Sequence, residues 1–450
     1  MLQKHLIAKT APMAAEKNII VHGNRRITVL TPQLFRIETT ENGIFCDEAT
    51  QTVWFRNTTP VNYQFTLEPD AITVTTEQAT LILRQEISDS RIVFDNGNEA
   101  PLSDEGNLLG TYRTLDCCDG DLWISYDPNG EDSHPIRLGN GVISRTGVAL
   151  YDDSKSLLLN RDGMVAPRKI KEQDLYIFAY GQDYRSAIKA LYLLCGAPAA
   201  LPRYALGNWW SRYHAYTAGE YLELMEHFEE DQIPFTVATI DMDWHPSDNL
   251  PEGIDGWTGY SWNRALFPDY KDFLRQLQEK NLHITLNLHP ASGVQYIEEQ
   301  YEDMAKCMGI DPATKRRIDF DFTDETFINA YFSLLHKPYE KDGVDFWWID
   351  WQQGTNSAIK GYDPLWGLNH YHSLDIAENK EQLILSRYAG IGSHRYPVGF
   401  SGDTLVTWKT LQYLPYFTST ASNAGYTWWS HDIGGHINVL KDDEQIVRYV

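Results

Sequence analysis

PFTVATIDMD (234–243), YKDFLRQLQEKN (270–281) and LHITLNLHP (282–290) decide the fold. The first and third are short apolar runs that end in polar groups. The middle one places Tyr270, Phe273, Leu274 and Leu277 three and four residues apart, which is a helical stripe. Strand, helix and a second strand of the same kind make a parallel βαβ unit. The unit repeats outward in both directions. ALGNWWSRYH (205–214) and AGEYLELMEHFEEDQ (218–232) precede it; VDFWWIDWQQ (344–353), QLILSRYA (382–389), VGFSGD (398–403) and YTWWSHDIG (426–434) follow. Seven repeats predict a parallel (β/α)8 TIM barrel. EQIVRYV (444–450) reads as the helix after the seventh strand, so the barrel is expected to be truncated before its eighth. A doubly wound sheet would carry a glycine-rich phosphate loop, and neither G-x-G-x-x-G nor G-x-x-x-x-G-K-[ST] occurs.

Upstream, from residue 18 to about 180, the period changes to two. RRITVLTPQLFRIETT (25–40) and AITVTTEQATLILRQ (71–85) alternate apolar with polar, and turn clusters such as DNGNEAPLSDEGN (95–107) separate the runs. This predicts an antiparallel β-sandwich. DYRSAIKALYLLCG (183–196) returns to a helical period, and GAPAALPRYALG (196–207) has the glycine and prolines of a junction. The expected division is 1–200 for the sandwich and 201–450 for the barrel, with the barrel's C-terminal part missing.

The 450 residues hold 62 acidic and 38 basic side chains, a formal charge of -24 that repels a phosphate backbone. Nucleic acid is excluded as a partner on that ground. The sequence has no apolar run of the roughly 20 residues that cross a bilayer, so no membrane partner is expected. The opening MLQKHLIAKTAPMAAEK lacks the apolar core of a secretory signal, which points to a cytoplasmic protein. Five scattered cysteines without C-x-x-C spacing predict reduced thiols. The histidine spacing fits no metal-ligand pattern, and no cofactor or metal is expected.

In a parallel barrel, chemistry sits at the carboxyl ends of the strands. Asp241 and Asp243, His289, Asp350, Arg387, Asp403, His431 and Asp432 stand there, flanked by Trp348, Trp351 and Trp429. Two carboxylates flanking one bond are what glycoside hydrolysis requires. Indole faces suit the apolar face of a sugar ring, and Asp, Arg and His bind its hydroxyls. An isolated strand-end Asp is as often a helix cap, and one tryptophan of each of the pairs Trp347–Trp348 and Trp428–Trp429 is expected in the core.

These motifs, in this order, resemble glycoside hydrolase family 31, the retaining α-glycosidases that include α-glucosidases, α-xylosidases and α-galactosidases. Trp348-Ile349-Asp350 is similar to the family's strand-four motif and implies Asp350 as nucleophile. Ser386-Arg387-Tyr388-Ala389-Gly390 leading to Ser401-Gly402-Asp403-Thr404 implies Asp403 as general acid and base, with Arg387 on sugar hydroxyls. Asp241-Met242-Asp243-Trp244 implies Asp241 as a sugar ligand. His431 to Gly435 matches a further family feature, and NLLGTYRTLD (107–116) resembles a loop that the sandwich lends to the site. The resemblance implies an exo-acting retaining α-glycosidase, α-glucosidase first, acting on an α-linked oligosaccharide or glycoside. The sequence departs from many α-glucosidases at His289-Pro290, where they carry an acid before proline, and at Gln352-Gln353. Both positions belong to the pocket wall. They leave open a galactose or N-acetylgalactosamine specificity and a transglycosylase; a sugar-binding protein without activity is the remaining alternative.

Overall fold

A computed structural model describes residues 1–124, 133–437 and 442–450. Its N-terminal part is antiparallel. One sheet runs in the order Ile19–His22, Arg25–Thr31, Leu34–Thr40, Glu172–Phe178, Ala149–Asp152; a second is the meander from Gln64–Glu68 to Glu99–Pro101. Side chains alternate across a strand. Ile27, Val29, Phe35, Ile37, Leu175 and Ile177 therefore share one face of the first sheet, and they pack on Ile72, Val74, Leu81, Leu83 and Ile92 of the meander. The residues between them point the other way: Arg26, Arg36, Glu38, Asp174 and Tyr176, all buried. Part of that face is covered by the helix Tyr184–Cys195, whose Leu191 and Leu194 join a cluster with Tyr176 and whose first turn is capped by the Asp183 side chain.

Beyond the helix the sheet is parallel, as the βα periodicity predicts. Its strands are β1 (Asn208–Trp210), β2 (Phe235–Ile240), β3 (His283–Leu288), β4 (Phe346–Ile349), β5 (Ile384–Leu385), β6 (Gly399–Phe400) and β7 (Trp429–Ser430). Each pairs in parallel with the next, β5 and β6 through the Ser386–Gly399 bridge. Space order thus equals chain order, and the sheet curls as a barrel wall; seven parallel strands are present among the described residues. Helices fill most crossovers, including Ala218–Glu230 with a Thr217/Glu220 capping box, amphipathic Tyr270–Glu279, and Pro364–Ile376. The β5–β6 connection holds only the short 3-10 turn Ser393–Arg395.

Strands apolar on both faces need cover on both. Val237, Phe346, Trp348, Leu385, Val398 and Phe400 form the cluster inside the curl, whereas Ala238, Ile240, Ile284, Leu286 and Trp347 pack outward on helices. The Trp347–Trp348 pair is thus split between the two layers. The N-terminal part is fastened to the barrel by buried Arg395. Its Nη1 donates to the Thr52 and Cys195 carbonyls (2.9 and 2.6 Å), its Nη2 to the Gln51 carbonyl (2.7 Å), and its guanidinium lies 3.9 Å from the Trp54 ring centre. No helix of the described residues is long and apolar enough to cross a membrane.

Candidate active site

The strand ends bring polar groups to one rim because parallel strands all finish on the same side. Asp350 directly follows β4, and its amide donates to the Leu288 carbonyl at 2.9 Å, so the carboxylate stands on the last rung of the ladder. Arg387, two residues past β5, donates from Nε and Nη2 to Asp350 Oδ1 at 3.1 and 2.5 Å. His289, the residue after β3, places Nε2 at 3.2 Å from Oδ2. All three side chains are buried. Burial alone would raise the Asp350 pKa, but the Arg387 charge and the His289 contact outweigh it and hold the carboxyl well below the usual range.

Asp403 lies three residues past β6. Gln352 Nε2 donates to its Oδ2 at 3.3 Å, and a carboxylate oxygen of Asp403, one of Asp432 and a ring nitrogen of His436 lie within 4.8 Å of one another. Burial, then the Asp350 charge, push the Asp403 carboxyl up to about 6. Burial, then Asp403, push Asp432 up to about 7. Asp241, at the end of β2, is raised to about 6 by burial despite a 2.7 Å hydrogen bond from the Met242 amide to Oδ1, with Asp350 adding to the rise. One acid at this rim is therefore held ionised through the acid range while its neighbours keep their protons up to about pH 6 to 7. That division of labour is what acid-assisted nucleophilic displacement needs.

The N-terminal part reaches the same rim. Asp116 Oδ1 accepts from Arg387 Nη1 at 2.8 Å and from the Asp403 amide at 2.6 Å; Thr114 Oγ1 takes a further Arg387 hydrogen bond. Leu115 and Cys117 amides donate to the Ser401 and Asp403 carbonyls at 2.6 and 3.0 Å.

The family model described as the glycosyl hydrolases family 31 TIM-barrel domain matches residues 198–450, more than half of the chain. The chain belongs to glycosyl hydrolase family 31. Among curated relatives, an α-xylosidase of Saccharolobus solfataricus is 23% identical over 327 residues, covering 65% of this chain and 42% of its own. Alpha-glucosidase 2 of Bacillus thermoamyloliquefaciens is 21% identical over 299 residues, covering 58% and 36%. The chain thus spans less than half the length of either. Among solved structures, a Flavobacterium johnsoniae family 31 dextranase superposes with a TM-score of 0.70 at 18% identity, over 99% of this chain and 64% of that one. A family 31 α-xylosidase from a soil metagenome gives 0.69 at 15%, over 96% and 74%. At such identities the likeness is one of fold.

Within this family 31 barrel, Asp350, Arg387, His289 and Asp403 form one connected group with Asp116 and Gln352. The other residues singled out in the sequence have supporting places. Trp348 lies two residues before Asp350 on the same strand face, packed edge-on to Phe400 at 5.2 Å in the cluster beneath the rim. Trp351 is buried against Phe320, and its indole N–H donates to the Gly354 carbonyl at 2.9 Å. In His431, Nδ1 meets Ser401 Oγ and Nε2 meets Thr418 Oγ1, both at 2.8 Å, so both ring nitrogens have partners within the chain. Burial holds its pKa down to about 4. Trp429 stacks on that ring at 5.4 Å, so the two build wall. Sequence reasoning did not single out His436, Thr114 or Trp257, whose exposed indole lies edge-on to His289 at 5.3 Å. For Thr114 the signal was the polar end of NLLGTYRTLD; for the other two there was none.

Proposed function

We propose that this chain carries the catalytic apparatus of a retaining, exo-acting α-glycosidase that cleaves an α-linked glucosyl unit from an oligosaccharide or glycoside. The observation that carries the reading is a buried carboxylate gripped twice by Arg387 beside a carboxyl that burial and that carboxylate's charge raise to about 6, one acid held ionised and the other able to give a proton. Asp350 attacks the anomeric carbon as Asp403 gives its proton to the departing oxygen. A glycosyl ester on Asp350 results. Asp403, now ionised, takes a proton from water, the water oxygen displaces Asp350 from the anomeric carbon, and the sugar leaves with its α configuration retained. Arg387 donates twice to Oδ1 and so favours that oxygen as the ester carbonyl; Oδ2, which faces His289 Nε2 at 3.2 Å, is the oxygen that attacks. Asp241, on the same rim, is the ligand for sugar hydroxyls. A second reading, α-xylosidase, is favoured by the α-xylosidases among the similar chains; glucose and xylose differ only in the substituent at C5.

The test is turnover of the 4-nitrophenyl α-glycosides of glucose, xylose, galactose and N-acetylgalactosamine, with the first-formed anomer read by NMR. Turnover of the glucoside with the α-anomer first is expected; the xyloside alone would select the second reading. Turnover confined to galactoside or N-acetylgalactosaminide would overturn the sugar assignment, and the β-anomer first would overturn the mechanism. Sugar binding without turnover of any would make the chain a binding protein.

A further inference from the structure

Asp116 is far from the catalytic acids in sequence, yet it touches both Arg387 and the backbone of Asp403. Its Oδ1 is shared by two donors, Arg387 Nη1 at 2.8 Å and the Asp403 amide at 2.6 Å. Arg387 in turn holds Asp350. One oxygen from the antiparallel part of the chain therefore joins the cation on the nucleophile to the backbone of the acid. The joint is built on both sides. Backbone hydrogen bonds from Leu115 to Ser401 and from Cys117 to Asp403 pin the loop in register with the segment after β6. Gly402, between those two acceptors, has φ +94°, and a Cβ there would overlap Asp116 Oδ1 and Arg387 Nη1. Only glycine combines that backbone conformation with room for the incoming carboxylate.

We propose that Asp116 is a positioning residue of this active site, setting the placement of Asp403 relative to Asp350 through this shared oxygen. The proposal rests on the assignment of those two acids above. Asp116 Oδ1 is spent on two protein groups, Arg387 and the Asp403 amide, so its loss acts on kcat, with KM unchanged; a reacting group displaced by about 1 Å costs on the order of 10²-fold. Its charge acts too. Asp403 has Asp350, Asp116 and Asp432 on the acidic side and Arg387 and His436 on the other. Removing one negative charge makes Asp403 lose its proton at lower pH.

The experiment compares Asp116→Ala and Asp116→Asn in the full chain on the most rapidly cleaved 4-nitrophenyl α-glycoside, with Asp350→Ala and Asp403→Ala alongside. Asp116→Ala should lose about 10²-fold in kcat at constant KM. Asp116→Asn keeps an oxygen for both donors, so it should recover most of that loss while its alkaline limb moves to lower pH. The Asn variant preserves the test if the Ala variant does not fold. If either Asp350→Ala or Asp403→Ala keeps the wild-type rate, the assignment of the acids fails, and this inference with it. If both are inactive and Asp116→Ala matches wild type in kcat, or Asp116→Asn matches it in pH profile, the acids stand and the role of Asp116 is refuted. Equal losses in the Ala and Asn variants, with no shift of the limb, would also refute it.

Discussion

Arg36–Asp174 in the antiparallel sheet and Arg387–Asp350 at the barrel rim are both buried arginine–aspartate pairs, yet they are made differently. Arg36 binds fork to fork, Nε to Oδ1 at 2.7 Å and Nη2 to Oδ2 at 2.8 Å, so both oxygens of Asp174 are taken. Arg387 spends two donors on Asp350 Oδ1 and leaves Oδ2 to His289. Their surroundings differ more. In the sheet, Arg26, Arg36, Arg56 and Arg168 stand among Glu38, Asp153, Glu172 and Asp174. Burial pushes Asp153 and Glu172 upward there too, with Arg168 opposing in each case. At the rim, Arg387 is already committed to Asp350 and Asp116, and among the described residues no lysine or arginine pairs with the remaining acids, Asp241, Asp403 and Asp432, the last two of which share His436. Burial therefore raises all three, to between about 6 and about 7. Balanced charge specifies a fold; surplus acid at a strand end supplies protons.

The comparison breaks if the two networks respond alike to mutation. Asp350→Ala should cost at least about 10⁴-fold in turnover, the scale on which a catalytic residue is lost. Its melting temperature should hold or rise, because Arg387 keeps Asp116 and the neighbouring acids lose a repelling charge. Asp174→Ala leaves buried Arg36 with Glu38 as its remaining ion-pair partner and should lose about 3–5 kcal/mol of stability in chemical denaturation. Its kcat per folded molecule should match wild type. A melting-temperature loss for Asp350→Ala as large as that for Asp174→Ala would erase the distinction.

The pH profile sharpens it. Asp403 must be protonated to act as an acid and its pKa in the folded chain is about 6, so kcat/KM should fall roughly tenfold per pH unit above that value. On the acid side activity should persist well below pH 4, because Asp350 stays ionised there. A profile flat from pH 5 to 8 would contradict the surplus-acid account. The smallest effect belongs to the exposed pair Arg84–Asp70, 2.7 Å apart on the surface. Arg84→Ala should change stability by less than about 1 kcal/mol and leave activity alone, as a matching denaturation midpoint would show.

The barrel was legible in the sequence because each parallel strand is an apolar run ending in a polar group, and that local pattern survives folding unchanged. The face of Arg25–Thr31 and Leu34–Thr40 that carries Arg26, Arg36 and Glu38 was less so. Alternation predicts a polar face in contact with water, and nothing local announces that other segments will cover it and bury those charges. The site divides in the same way. Asp350, Asp403 and Arg387 stand at strand ends that the pattern locates. Asp116 meets Arg387 across 271 residues of chain, a pairing set by docking of the two parts. His431 shows the converse: its position was legible, but its ring partners Ser401 and Thr418 come from other elements and were not.

Asp350 as the nucleophile of a retaining reaction has a chemical signature of its own. Incubation with a 5-fluoro α-glycosyl fluoride of the cleaved sugar, which forms the ester but releases it slowly, followed by digestion and mass spectrometry, tests it directly. A single covalent sugar on Asp350, absent from Asp350→Ala, is the predicted result. A sugar on another residue, or turnover of the fluoride with no covalent adduct and an inverted product, would contradict the account.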